Sequence, residues 1–162
     1  KLDIQKIFGL FFIIISFYTI YKIRNDFNQD YFRILLITII CISTDTGGYI
    51  CGKLLKGPKL TKFSPNKTYA GVIGSFLASL IAGIFYIKFL DNEFILKYPL
   101  QIIFFILTIS FVSQIGDLII SFFKRKAKIK DTGSILPGHG GILDRIDGIL
   151  LALPIGLLLI SI

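Results

Sequence analysis

Apolar residues gather along this chain into long runs, and polar residues into a few dense islands between them. The runs cover 4–21, 69–90, 98–120 and 148–162, with a shorter one at 32–44. A helix that crosses the hydrocarbon core of a bilayer needs about 20 apolar residues. The runs at 69–90 and 98–120 meet that length comfortably. The pattern predicts an all-α, polytopic integral membrane helical bundle with about five membrane segments, built as one membrane-embedded domain over 1–162. The run at 32–44 is short and ends in Ser43-Thr44-Asp45-Thr46-Gly47-Gly48. That ending predicts a broken or partly re-entrant helix, which survives at membrane depth only where protein or a watery cavity satisfies the backbone. Pro154 in the last run predicts a kink there, or tolerance by neighbouring helices.

Composition supports the membrane reading. Hydrophobic residues make up 54% of the 162 positions, more than a water-soluble domain of this size carries. The net charge of +8 raises the question of nucleic acid, but the basic residues sit in islands between apolar runs. That placement belongs to cytoplasmic loops and to sites for anionic substrates or headgroups, so no nucleic-acid partner is expected. Cys41 and Cys51 lack the spacing and the histidine partners of a zinc site. No small-residue cleavage site follows the first apolar run, which is therefore read as a membrane segment. The chain opens on Lys1 rather than Met, and further N-terminal helices are expected before it.

Charge also predicts orientation. The island at 45–67 carries Lys53, Lys56, Lys59, Lys62 and Lys67 against one acid, Asp45. The island at 121–147 carries Lys124, Arg125, Lys126, Lys128, Lys130 and Arg145. Two spans separate the islands, so both are expected on one side, and the positive-inside rule makes that side cytoplasmic.

The second island, Ser121 to Asp147, is where chemistry concentrates. It adds Asp131, Asp144 and Asp147, four glycines, and the only histidine, His139. Just before it, Asp117 lies near the end of a long apolar helix, where an ionised carboxylate is costly unless paired or bound to a cation. Asp117 could pair with Lys124, two turns on, or with another loop lysine, or serve as a metal ligand completed by Asp144 or Asp147. These two are three residues apart and share a face if the island ends by entering a helix. Hard cations such as magnesium take carboxylate oxygens together with substrate phosphates. Pro137-Gly138-His139-Gly140-Gly141 permits close backbone approach to phosphate, or is a flexible loop with an incidental histidine. In the first island, Ser64, Lys67 and Thr68 precede an apolar helix, whose free N–H groups suit an anion. Ser64 or Thr68 equally suits the role of a helix cap.

The ordered run Ser121, Lys124, Arg125, Lys130-Asp131, Pro137-Gly138-His139-Gly140-Gly141, Asp144-Arg145 and Asp147 resembles the signature of phosphatidate cytidylyltransferases, or CDP-diacylglycerol synthases. Asp45-Thr46, Gly52-Lys53, Lys59-Leu60 and Ser64-Pro65-Asn66-Lys67-Thr68 resemble a second block of that family, and Gly116-Asp117-Leu118 a third. The likeness covers roughly 43–74 and 113–148. It departs from the family at Ala70 and Ile120, where Glu is common, and at Asn66, where Lys is common. The resemblance implies a multi-pass enzyme of the bacterial inner membrane that joins CTP to phosphatidic acid and releases pyrophosphate. It implies Mg2+, a second, monovalent cation (K+), and a homodimer. By motif match, Asp117 and Asp144 would bind metal, with Asp147 and Ser121 close by. Lys124, Arg125 and Arg145 would face phosphates, and Ser64, Lys67, Thr68, Lys130, Asp131, His139, Gly140 and Gly141 would contact substrate. The lipid phosphate would enter beside the broken segment at 32–48. Two other activities share part of the pattern. A CTP-dependent lipid kinase would release CDP, and an anion transporter built on broken helices would turn nothing over.

Overall fold

A computed structural model describes residues 4–26, 31–59, 67–90, 98–129, 133 and 143–161. The described residues form five helices: α1 (Ile4–Asp26), α2 (Tyr31–Leu55), α3 (Tyr69–Leu90), α4 (Pro99–Lys126) and α5 (Leu143–Ser161). Their only non-helical pairing is a single antiparallel bridge between Lys59 and Thr68, which brings the end of α2 beside the start of α3. α2, α3 and α4 are each long and apolar enough to cross a membrane, and α1 and α5 carry shorter apolar stretches, Ile13–Lys22 and Ile146–Leu159. The chain is an all-helical, multi-pass membrane bundle, as the apolar runs predict.

The helix ends follow local chemistry. α2 stops where Lys56 takes a left-handed φ of 43° ahead of Gly57 and Pro58. α3 starts on Thr68, whose Oγ1 accepts the Gly71 N–H at 3.0 Å. α4 opens with Pro99 in its first turn and closes with Lys128 at φ 58°, where the N–H groups of Ala127 and Ile129 return to Phe123 and Lys124 carbonyls.

The broken helix expected at 32–48 is not there: α2 runs unbroken from Tyr31 to Leu55, through Thr44-Asp45-Thr46-Gly47-Gly48. The residues that resemble a break are a packing seam. A side chain at Gly47 would meet the Ala78 Cβ and come within 2.6 Å of the Gly74 carbonyl oxygen; one at Gly71 would reach 2.8 Å from the Gly48 oxygen. On α3 the buried Gly71, Ser75, Ser79 and Gly83 recur every fourth residue, the small-residue spacing that lets membrane helices approach closely. The threonines stay helical by turning their hydroxyls onto their own backbone. Thr44 Oγ1 donates to Ile40 O at 2.8 Å, and Thr46 Oγ1 to Ile42 O at 2.9 Å. Thr44 also shares a 2.8 Å hydrogen bond with Ser110 of α4, and its carbonyl accepts from Ser75 Oγ at 2.7 Å. An entry route for lipid therefore cannot rest on a gap in α2.

Pro154 lies inside α5, which continues through it. Proline leaves the carbonyl four residues earlier without its helical donor. That carbonyl, Leu150 O, accepts Ser16 Oγ of α1 at 2.6 Å, a tie that satisfies the backbone and docks α1 against α5. The core fills the space between helices: Ile37, Ile40 and Cys41 from α2, Ile106, Ile109 and Val112 from α4, and Leu150, Ala152 and Leu153 from α5. A large set of apolar side chains faces outward instead, including Ile73, Leu77, Ile81, Phe85 and Phe89 at every fourth position of α3. In a bilayer these positions meet lipid rather than water.

Candidate active site

The described ends of both polar islands meet at one end of the bundle. Lys67, one residue before the cap of α3, reaches the C-terminal part of α4, where its Nζ stands 2.5 Å from Asp117 Oδ2 and donates to Gln114 O at 3.4 Å. The two islands thus share a side, as their charge and the intervening pair of spans predict.

Asp117, Ser121 and Lys124 lie at intervals of four and three residues on α4, so the helix presents them on one face. Ser121 Oγ donates to Asp117 Oδ1 at 3.4 Å, so both carboxylate oxygens are engaged. Lys124 does not pair with Asp117. Its Nζ turns to Asp147 Oδ2 at 3.5 Å, in a pair whose side chains are 13% and 9% exposed. Asp147 Oδ1 accepts the Gly148 N–H at 2.9 Å. Of the pairings expected for Asp117, the one with another loop lysine is found, through Lys67, and Lys124 pairs with Asp147 instead, because α5 delivers a second carboxylate to the same end. Asp45, on the exposed face of α2, feels the charges of Asp117, Lys67 and Asp147. It was not among the residues singled out for the site from the sequence. The signal was available in its place just after an apolar run.

Close helix contact holds this arrangement. Gly116 and Gly148 face one another where α4 crosses α5, with the Gly148 Cα 3.4 Å from where a Gly116 side chain would begin. Asp117 and Asp147 are the immediate chain neighbours of these glycines, so the crossing sets their separation. Asp144 falls on the first turn of α5, one turn before Asp147, as their spacing predicts. Arg125 is exposed in the last turn of α4, and Thr68 uses its hydroxyl to cap α3. Ser64, Lys130, Asp131, His139, Gly140 and Gly141 lie outside the described residues, as do the side chains of Asp144 and Arg145.

Among the described residues no three acidic, histidine or cysteine side chains stand close enough to hold a metal ion. Asp117, bonded to the Ser121 hydroxyl, and Asp147, which feels the charge of Asp117, offer only oxygen, the donor type that hard cations prefer. With two lysines among them, the set can hold a cation and a phosphate-rich anion side by side.

The model of the cytidylyltransferase family matches residues 4–162. A protein of Brucella suis biovar 1 named phosphatidate cytidylyltransferase is 39% identical over 145 residues, covering 89% of this chain and 52% of its own length. A protein of the same name from Staphylococcus saprophyticus is 43% identical over 150 residues, with 91% and 55% covered. One from Rickettsia bellii is 45% identical over 129 residues, with 75% and 55% covered. The chain spans about half the length of the curated relatives it matches.

Proposed function

The chain belongs to the cytidylyltransferase family, and from that premise we propose that it transfers a cytidylyl group from CTP to phosphatidic acid, giving CDP-diacylglycerol and pyrophosphate. The observation that carries this reading is the crossed pair of lysine–aspartate contacts at one end of a membrane bundle. Such a site would stand where a lipid phosphate at the bilayer surface can meet a soluble nucleotide.

The reaction asks little of a base. A phosphate oxygen of phosphatidate is already an anion at neutral pH. It attacks the α-phosphorus of CTP, forming one P–O bond as the bond to the bridging oxygen breaks and pyrophosphate leaves. The barrier lies in bringing two polyanions together and in the charge on the leaving group. Lys67 and Lys124 supply positive charge beside the carboxylates, and Arg125 and Arg145 would face the phosphates. Asp117 and Asp144 would hold Mg2+, with Asp147 beside them, and K+ would be the second cation. Bound there, magnesium would neutralise phosphate charge and fix the triphosphate. Lys130, Asp131, His139, Gly140, Gly141, Ser64, Thr68 and Ser121 would complete the contacts to substrate.

The polar end faces the cytoplasm of a bacterial inner membrane in this reading, supported by the lysine-rich islands that meet there. The active form would be a homodimer. The test is turnover in saturating magnesium by variants of the proposed ligands. Asp117→Ala and Asp144→Ala should each lose roughly a hundred- to a thousandfold in kcat, the scale on which removing transition-state charge stabilisation acts. Near-normal turnover by either would remove that residue from the metal assignment.

A further inference from the structure

Lys67 does more at this site than add positive charge. Its ammonium lies 2.5 Å from Asp117 Oδ2, the position a cation ligand would offer, and Ser121 holds the other oxygen at 3.4 Å. Among the described residues its other acceptor is a backbone carbonyl, Gln114 O at 3.4 Å. The side chain springs from the short segment ahead of α3 rather than from within a helix, and both partners are about a quarter exposed. A four-carbon stem rooted there can move its charge by several ångströms without disturbing a helix.

We propose that Lys67 is a built-in counter-ion of Asp117 that competes with a divalent cation for its carboxylate. When a cation takes the carboxylate, the ammonium swings off and finds its new partner on a phosphate of the nucleotide. The inference rests on the reading of Asp117 as a cation ligand. It adds that Lys67 weakens metal binding before nucleotide is present, and that one lysine exchanges partners as metal and nucleotide arrive. Two positive groups cannot share one carboxylate at such distances without repulsion, and removing one strengthens the hold on the other.

The consequence is a pair of effects of opposite sign. Mn2+ serves as the probe, its binding to nucleotide-free protein in lipid nanodiscs followed by electron paramagnetic resonance. Lys67→Met should bind Mn2+ roughly tenfold or more tightly than the parent chain, as expected when a full charge is removed a few ångströms away. Lys67→Arg should stay close to the parent. In saturating Mn2+, the same Lys67→Met protein should hold labelled CTP more weakly in equilibrium dialysis. A lysine that only supports the fold would weaken both. Unchanged or weaker Mn2+ binding by Lys67→Met would overturn the inference, provided Asp117→Asn abolishes Mn2+ binding. If Asp117→Asn binds Mn2+ like the parent, Asp117 is not a cation ligand, and the functional assignment of that residue fails together with the exchange.

Discussion

Gly148 is the position where packing and chemistry are most tightly joined, and Gly148→Ala tests that link. A methyl group there would begin 2.6 Å from Ser113 Oγ and 3.1 Å from Ser113 O, where ordinary contact starts near 3.4 Å. The hydroxyl can rotate away, but the carbonyl belongs to α4 and cannot. The crossing of α4 and α5 must open by at least about 0.3 Å, and by up to about 0.8 Å if the serine is held in place. Overpacking of this kind costs about 1–3 kcal/mol. The neighbouring residue is Asp147, so its carboxylate shifts relative to Asp117 by a similar distance. Catalytic groups tolerate about 0.5 Å of displacement, and about 1 Å can cost a hundredfold in rate. Gly148→Ala should therefore lower kcat by roughly 10- to 100-fold, with a modest fall in melting temperature. Gly116→Ala, whose methyl would meet Leu151 Cβ at 3.1 Å and Asp147 O at 3.2 Å, should fall in the same direction by less. Cytidylyl transfer and thermal unfolding measured on the same detergent preparation decide it. A Gly148→Ala protein with full activity and unchanged unfolding would refute the claim that this crossing sets the carboxylates.

Three further outcomes follow from single contacts. Ser16→Ala strips the donor from the carbonyl that Pro154 leaves open, and should destabilise by about 1–2 kcal/mol. Adding Pro154→Ala, which restores the helical N–H, should recover most of that loss in thermal unfolding. Lys124→Leu leaves Asp147 buried without its partner, and should cost about 3 kcal/mol; the double variant with Asp147→Leu should be more stable than Lys124→Leu alone, though inactive. Gly74→Leu would drive a side chain into Cys51 and toward the Gly47 carbonyl, and should part α2 from α3, seen as loss of a folded monodisperse peak in size-exclusion chromatography.

How much of this the sequence discloses depends on which physics governs each residue. The apolar runs disclose the spans because bilayer thickness fixes their length, and α3 occupies the expected 69–90. Residues 43–48 mislead because glycine and threonine carry two meanings. Beside water they end helices; against a neighbouring helix in a membrane they let backbones touch. Gly71, Ser75, Ser79 and Gly83 already hold the repeat that marks the second meaning, and it takes α2 as a partner to make it legible. Pro154 is similar. Its orphaned carbonyl can be foreseen, but its donor, Ser16, is 134 residues away from Leu150. In the site, Asp117, Lys124 and Asp147 stand out as charges at the edge of apolar helices. Their pairing does not, because it is set by the angle at which α5 crosses α4. The meeting of Lys67 with Asp117, 50 positions apart, again waits on the bundle.

Which group of CTP reaches the lipid is decided by the products. Purified protein is given magnesium, phosphatidic acid and CTP labelled in the cytidine, and both pyrophosphate and labelled lipid are followed. Cytidylyl transfer releases pyrophosphate only when lipid is present, in step with label entering the lipid. Release of labelled CDP, with the lipid gaining a phosphate and no cytidine, would contradict it and make the chain a lipid kinase.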